Sequence, residues 1–169
     1  ALKTLLENLE FTCERGSLAV QVSALVYDSR KCCPGCMFVC IEGANFDGHS
    51  FAAEMVQKGA AVLVVAKDVE LLEEADVTLI RVENTRYALA FLAAAWFDHP
   101  ARRLTTIGIT GTKGKTTTTY LVKSILENAG RRTGLVGTIE VIIGDTHIPA
   151  FNTTPESYVL QEYFAKMVE

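Results

Sequence analysis

Between Ile107 and Thr117 the chain reads Ile-Gly-Ile-Thr-Gly-Thr-Lys-Gly-Lys-Thr-Thr. Residue types at this spacing suit phosphate binding. Gly111 and Gly114 permit a sharp turn that brings backbone N–H groups close to phosphate oxygens. Lys115 can reach the terminal phosphates as a cation. The hydroxyl of Thr116 or Thr117 can join the shell of a magnesium ion. The usual pattern is G-x-x-x-x-G-K-[ST], and here Ile109 stands where its first glycine belongs, leaving the shorter form G-x-x-G-K-T. Alone, these residues also fit a plain glycine turn with a surface lysine.

Three further stretches carry candidate binding residues. Asp28-Ser29-Arg30 precedes a turn at Pro34-Gly35. Gly43 and Asp47-Gly48 bracket a short loop, and Asn152-Thr153-Thr154-Pro155-Glu156 follows later. Each has an ordinary local reading: a turn with an ion pair, a loop, and a helix cap with Thr154 capping and Pro155 in the first helical position. Cys33-Pro34-Gly35-Cys36 resembles one knuckle of a zinc site that Cys40, His49 or Cys13 could complete. No second C-x-x-C exists, and Cys40 lies in an apolar strand pattern where a small buried thiol is ordinary.

The elements that must position these residues follow from periodicity. Leu2, Leu5, Leu6 and Leu9 predict a helix over residues 1–10. Strands are expected at 24–27, 37–41, 61–65 and 77–82, and helices at 50–58 and 85–97. The run 61–65 is apolar throughout, as in a strand buried on both faces. A proline and charges at 99–103, His-Pro-Ala-Arg-Arg, suggest a linker between a first domain, 1–98, and a second, 104–169. In the second, an apolar β-branched run at 104–110 reads as a strand, followed by the glycine turn, a helix over 115–129 and a strand at 133–136. That is a βαβ unit, for which a parallel sheet is the natural expectation. A hairpin at 140–150 and a helix from Pro155 complete the chain. The fold class is α/β, and the second sheet is small enough that the chain looks cut short.

Bulk properties exclude some classes. The chain has 169 residues, 49% of them hydrophobic, so it can build a core. No apolar run approaches the ~18 residues of a membrane span. A net charge of −4 with two isolated Arg-Arg pairs is no footprint for nucleic acid. The first residues lack the pattern of a signal peptide, which makes a cytoplasmic address the default expectation. Five cysteines, an odd count without a secretion signal, argue against a disulfide scaffold.

Taken in order, the four motifs resemble the Mur ligases of peptidoglycan synthesis, and among them the UDP-N-acetylmuramoyl-tripeptide synthetase type. The resemblance runs from about residue 24 to the end of the chain. It implies a small N-terminal α/β domain that binds a UDP-sugar and the start of a phosphate-loop ATPase domain. The implied activity is an ATP-dependent amide-bond ligase adding the third amino acid, diaminopimelate or lysine, to UDP-N-acetylmuramoyl-dipeptide through an acyl phosphate. ATP would lie along Gly111, Thr112, Lys113, Gly114, Lys115, Thr116 and Thr117, with Lys115 catalytic and Thr116 on Mg2+. Tyr27, Ser29, Ala44, Asn45, Phe46, Asn152, Thr153 and Thr154 would hold the UDP-muramoyl-dipeptide. Lys113 stands where the family usually has asparagine. The family's later catalytic and amino-acid-selecting parts lie beyond this stretch, which therefore looks like an N-terminal fragment, inactive alone. The rival readings are a stand-alone Mur-like binding protein and another phosphate-loop NTPase.

Overall fold

Alternating apolar strands and helices build the first of two units. The computed structural model describes residues 1–43, 46–150 and 154–169. It divides into Ala1–Trp96 and Phe97–Glu169. In the first unit come α1 (Leu2–Leu5), β1 (Thr12–Arg15), β2 (Leu25–Val26), β3 (Met37–Val39), α2 (Ala52–Gln57), β4 (Val62–Val65), β5 (Thr78–Arg81) and α3 (Thr85–Trp96). The strands form one sheet in the order β1-β5-β4-β3-β2. β2 through β5 are parallel, and β1 lies antiparallel on the β5 edge. β4, buried at every position, takes the centre. Cys36, Phe38, Cys40, Met55, Leu63 and Val65 belong to its core cluster.

Parallel pairing has a consequence for function. All four parallel strands point the same way, so the segments that follow them emerge at one edge of the sheet. Open α/β sheets bind their ligands at that carboxyl edge.

Two local expectations change here. The predicted N-terminal helix shortens to the single turn α1, whose first N–H groups, those of Leu2 and Lys3, donate to the carbonyls of Val20 and Leu18. Strand β1 was not anticipated, since its partner lies far along the chain at β5.

The second unit holds a 3-10 turn (Pro100–Arg103), α4 (Lys115–Asn128), β6 (Gly134–Val136), β7 (Glu140–Ile143), β8 (Thr146–Pro149) and α5 (Ser157–Val168). Its sheet is antiparallel, in the order β6-β7-β8, and Gly144 (φ +56°) turns the hairpin. This corrects the expected parallel βαβ. Residues 104–110 are not a strand: β6 pairs with β7, and the run before the glycine turn has no strand partner among the described residues. An apolar β-branched run becomes a strand only where another chain segment takes up its backbone groups. The segment 99–103 is likewise no open linker, since the Pro100–Arg103 turn packs on α5. The last helix starts later than expected. Its N-cap is Glu156, extended at φ −61° and ψ 150°, whose carboxylate accepts from the Ser157 N–H at 3.2 Å. Pro155 and Thr154 precede it.

Candidate functional site

The glycine turn of the second unit leads into α4 as the spacing predicts. Gly111 (φ +152°) and Gly114 (φ +77°) both occupy the region that favours glycine, and Gly114 caps the helix. The first helical bond runs from the Thr118 N–H to the Gly114 carbonyl at 2.9 Å. Backbone N–H groups in the turn before it have no intrahelical acceptor, and they sit at the positive end of a 14-residue helix. That is the local chemistry of an anion cradle. The Nζ of Lys115 donates to the Gly111 carbonyl at 2.7 Å, which holds the ammonium back across the turn. Thr112, Lys113 and Thr117 are exposed, and Thr116 is half-buried in the first turn. The helix itself is tied to the hairpin: the Tyr120 hydroxyl donates to Glu140 of β7 at 2.5 Å, and the other carboxylate oxygen of Glu140 meets His147 Nδ1 on β8 at 2.6 Å. The Tyr120 bond, followed by the His147 bond, lowers the Glu140 pKa.

One hydroxyl can serve Mg2+, and the first turn of α4 carries three, on Thr116, Thr117 and Thr118. That ion keeps several waters and usually takes its other oxygens from phosphates rather than from a protein cage. Thr116 is half-buried, whereas Thr117 and Thr118 are exposed. Among the described residues no group of three or more His, Cys, Asp or Glu could hold a metal ion, so the Cys33–Cys36 knuckle gains no further ligands.

In the first unit, candidate residues gather at the carboxyl edge. Tyr27 follows β2 and is half-buried. Ser29 opens a 3-10 turn, Ser29–Lys31, capped by Asp28. The Asp28 carboxylate accepts from the Arg30 backbone N–H at 3.0 Å and from its guanidinium at 2.9 and 2.7 Å. The guanidinium bond is the main reason the Asp28 pKa falls to about 2. The ion pair suggested by Asp28-Ser29-Arg30 therefore forms, and it presents Ser29 at the start of the turn.

Beyond β3 the chain closes a second loop. Gly43 N–H donates to the Phe46 carbonyl at 2.8 Å, and Gly48 N–H to that of Ile41 at 2.8 Å. Phe46 stands out at 74% exposed. Next in the chain, Asp47 accepts from the His49 backbone N–H at 3.0 Å and lies 2.6 Å from His49 Nδ1, while Lys67 Nζ reaches its other oxygen at 2.6 Å. The Lys67 bond is the chief cause holding the Asp47 carboxyl well below the usual carboxylate range. His49 Nε2 accepts the Ala66 N–H at 3.0 Å, which places the ring proton on Nδ1. The imidazole thus bolts the loop after β3 to the end of β4. Sequence reading did not single out Lys67; its signal was a cation just past the end of a buried apolar strand.

Of the expected substrate residues, Thr154 is exposed ahead of α5. Ala44, Asn45, Asn152 and Thr153 lie outside the described residues.

Two family profiles match the chain, "Mur ligase family, catalytic domain" over residues 21–97 and "Mur ligase middle domain" over 109–169. The chain belongs to the Mur ligase family. A UDP-N-acetylmuramoyl-L-alanyl-D-glutamate--2,6-diaminopimelate ligase from Clostridium perfringens is 46% identical over 99% of the chain and 34% of the relative. One of the same description from Alkaliphilus metalliredigens is 42% identical over equal shares. A solved structure of a UDP-N-acetylmuramoyl-L-alanyl-D-glutamate--2,6-diaminopimelate ligase superposes with a TM-score of 0.72 over 99% of the chain and 33% of that structure, at 18% identity. That likeness shows a shared α/β fold. The chain spans about a third of the length of the curated relatives it matches. Among the described residues no helix is long and apolar enough to cross a membrane.

Proposed function

We propose that this chain is the nucleotide-sugar-binding and phosphate-loop part of an ATP-dependent Mur ligase that adds 2,6-diaminopimelate to UDP-N-acetylmuramoyl-L-alanyl-D-glutamate. The observation that carries the reading is the Gly111–Thr117 turn, a glycine-capped helix N-terminus with Lys115 folded over it, within a chain alike along 99% of its length to ligases of that description.

In this reading ATP is a substrate. Its phosphates would lie against the N–H groups of residues 111–117, and the Lys115 ammonium would exchange the Gly111 carbonyl for β- and γ-phosphate oxygens. A substrate carboxylate attacks the γ-phosphorus, ADP leaves, and the resulting acyl phosphate accepts the amine of diaminopimelate with loss of inorganic phosphate and a proton. Lys115 stabilises charge as the phosphoryl group moves. Mg2+, held by Thr116 and phosphate oxygens, would neutralise phosphate charge. Lys113 adds a second cation beside the turn. Ser29 and Tyr27, with Phe46 and its neighbours Ala44 and Asn45, would bind the uridine diphosphate end at the carboxyl edge. The exposed Phe46 ring offers a flat apolar face of the kind that packs on a base or sugar. Asn152, Thr153 and Thr154 would bind the muramoyl-dipeptide portion. A cytoplasmic site of action fits a nucleotide-linked substrate and ATP.

Calorimetric titration of the chain with UDP-N-acetylmuramoyl-L-alanyl-D-glutamate, and separately with ATP and Mg2+, tests the reading. Saturable binding of both is expected. Absence of heat and of any thermal shift at millimolar sugar nucleotide would overturn it.

A further inference from the structure

The cysteines between Ser29 and β3 are not used by the reading above. Cys32 closes the 3-10 turn Ser29–Lys31 in an extended conformation, and Cys36 immediately precedes β3. The chain between them turns back on itself, with the Cys36 N–H donating to the Cys33 carbonyl at 3.1 Å. That turn brings the Sγ atoms of Cys32 and Cys36 to 3.6 Å. Cys36 is fully buried, whereas Cys32 is half-buried and so within reach of a solute. We propose that Cys32 and Cys36 form a redox-active dithiol that closes to a disulfide under a small disulfide oxidant such as oxidised glutathione.

Geometry separates this pair from the other three thiols. Cys13 lies on β1 and its thiol donates to the Arg15 carbonyl at 3.4 Å. Cys40 is fully buried past the end of β3. Cys33 is adjacent to Cys32 in sequence, and a ring between neighbouring residues strains the peptide that links them. A disulfide needs sulfurs about 2 Å apart, so the pair must close by about 1.5 Å, within reach of a side-chain rotation.

The chemistry balances in two exchanges. The Cys32 thiolate attacks one sulfur of oxidised glutathione, forming a mixed disulfide and releasing one glutathione thiolate. Cys36 then gives up its proton and attacks the Cys32 sulfur, and the second glutathione leaves as a thiolate. Two protein thiols are oxidised and one glutathione disulfide is reduced to two thiols. Burial pushes the Cys36 thiol up to about 12, so the second exchange quickens as pH rises.

Intact-mass analysis of the chain tests this after incubation with oxidised glutathione and quenching in acid, which stops thiol exchange without adding mass. The expected result is a mass lower by about 2 Da, two hydrogens, reversed by dithiothreitol. Cys33→Ser and Cys40→Ser should keep that loss. Cys32→Ser should abolish it, and Cys36→Ser should stop at a glutathione adduct. If Cys36→Ser does not fold, the contrast of Cys33→Ser with Cys32→Ser decides. The proposal is overturned if the unaltered chain shows no such loss, if Cys32→Ser retains it, or if Cys33→Ser removes it.

Discussion

Lys115 is the residue on which nucleotide binding is expected to turn. Its ammonium already has an acceptor, the Gly111 carbonyl at 2.7 Å, so it is held at the turn before any phosphate arrives. Hydrogen bonds to charged groups contribute about 1.5–3 kcal/mol each. Lys115→Ala should therefore weaken ATP binding by about 10- to 100-fold, read by calorimetry. Lys113→Ala removes an exposed cation and should cost only a few-fold, on the order of 1 kcal/mol or less. Equal losses from the two variants would refute the assignment of Lys115 as the phosphate ligand. Gly114 makes a different demand. A Cβ there meets nothing within 4 Å, yet φ is +77°. Gly114→Ala should thus cost about 1–2 kcal/mol in backbone conformation without any clash. The loss would appear as a lower melting temperature of the second unit together with weaker ATP binding.

At the level of elements, the loop after β3 couples charge to stability. Asp47 caps the 3-10 turn Gly48–Phe51 and also takes the Lys67 ammonium and the His49 ring. Its folded pKa is depressed, as is that of Asp28 at about 2, against an unfolded value near ~3.9. Both carboxylates therefore stabilise the fold fully above about pH 4, and their contribution is lost as pH falls through their folded values. Thermal unfolding followed from pH 7 to pH 2 should show stability dropping below pH 4. Asp47→Ala should start about 1 kcal/mol less stable at pH 7 and fall less steeply. A variant with the unaltered slope would remove Asp47 from the acid response. The same elements show what sequence can and cannot reveal. β4 was legible because four consecutive buried positions leave an unbroken apolar run, and the glycine turn because Gly111, Gly114 and Lys115 have few other reasons to stand together. Run 104–110 misled, since its β-branched residues record a preference for strand but not the presence of a partner. β1 was hidden for the complementary reason: its hydrogen bonds come from β5, and its own residues alternate only between exposed and half-buried. Helix α5 was placed from Thr154 and Pro155, both common at helix starts, yet the Glu156 side chain made the cap.

For the molecule as a whole, the two units differ in how much apolar surface they bury. The first encloses Leu2, Phe38, Met55, Leu63, Ile80 and Leu89, each at most 1% exposed. In the second, the buried hydrophobic residues among those described are Leu135, Val141 and Ile142, while Leu121 and Ile125 of α4 are 58% and 67% exposed. An open groove of about 1170 Å3, lined by Leu104, Val122, Leu126, Phe164 and Met167 among others, runs through the second unit. Burial is the main favourable term in folding, so the second unit should unfold first. The chain's single tryptophan, Trp96, belongs to the first unit, whereas backbone circular dichroism reports on both. Urea titration should accordingly show ellipticity falling before Trp96 fluorescence changes, a departure from two-state behaviour. Ligands should then act selectively. A ligand at 100 times its dissociation constant adds about 2.7 kcal/mol to the unit that binds it. ATP with Mg2+ should move the early ellipticity phase to higher urea, and uridine diphosphate, whose proposed contacts Tyr27, Ser29 and Phe46 belong to the first unit, should move the fluorescence phase. Coincident transitions without ligand would show that the units unfold as one body, and a fluorescence phase shifted by ATP alone would place the nucleotide in the wrong unit.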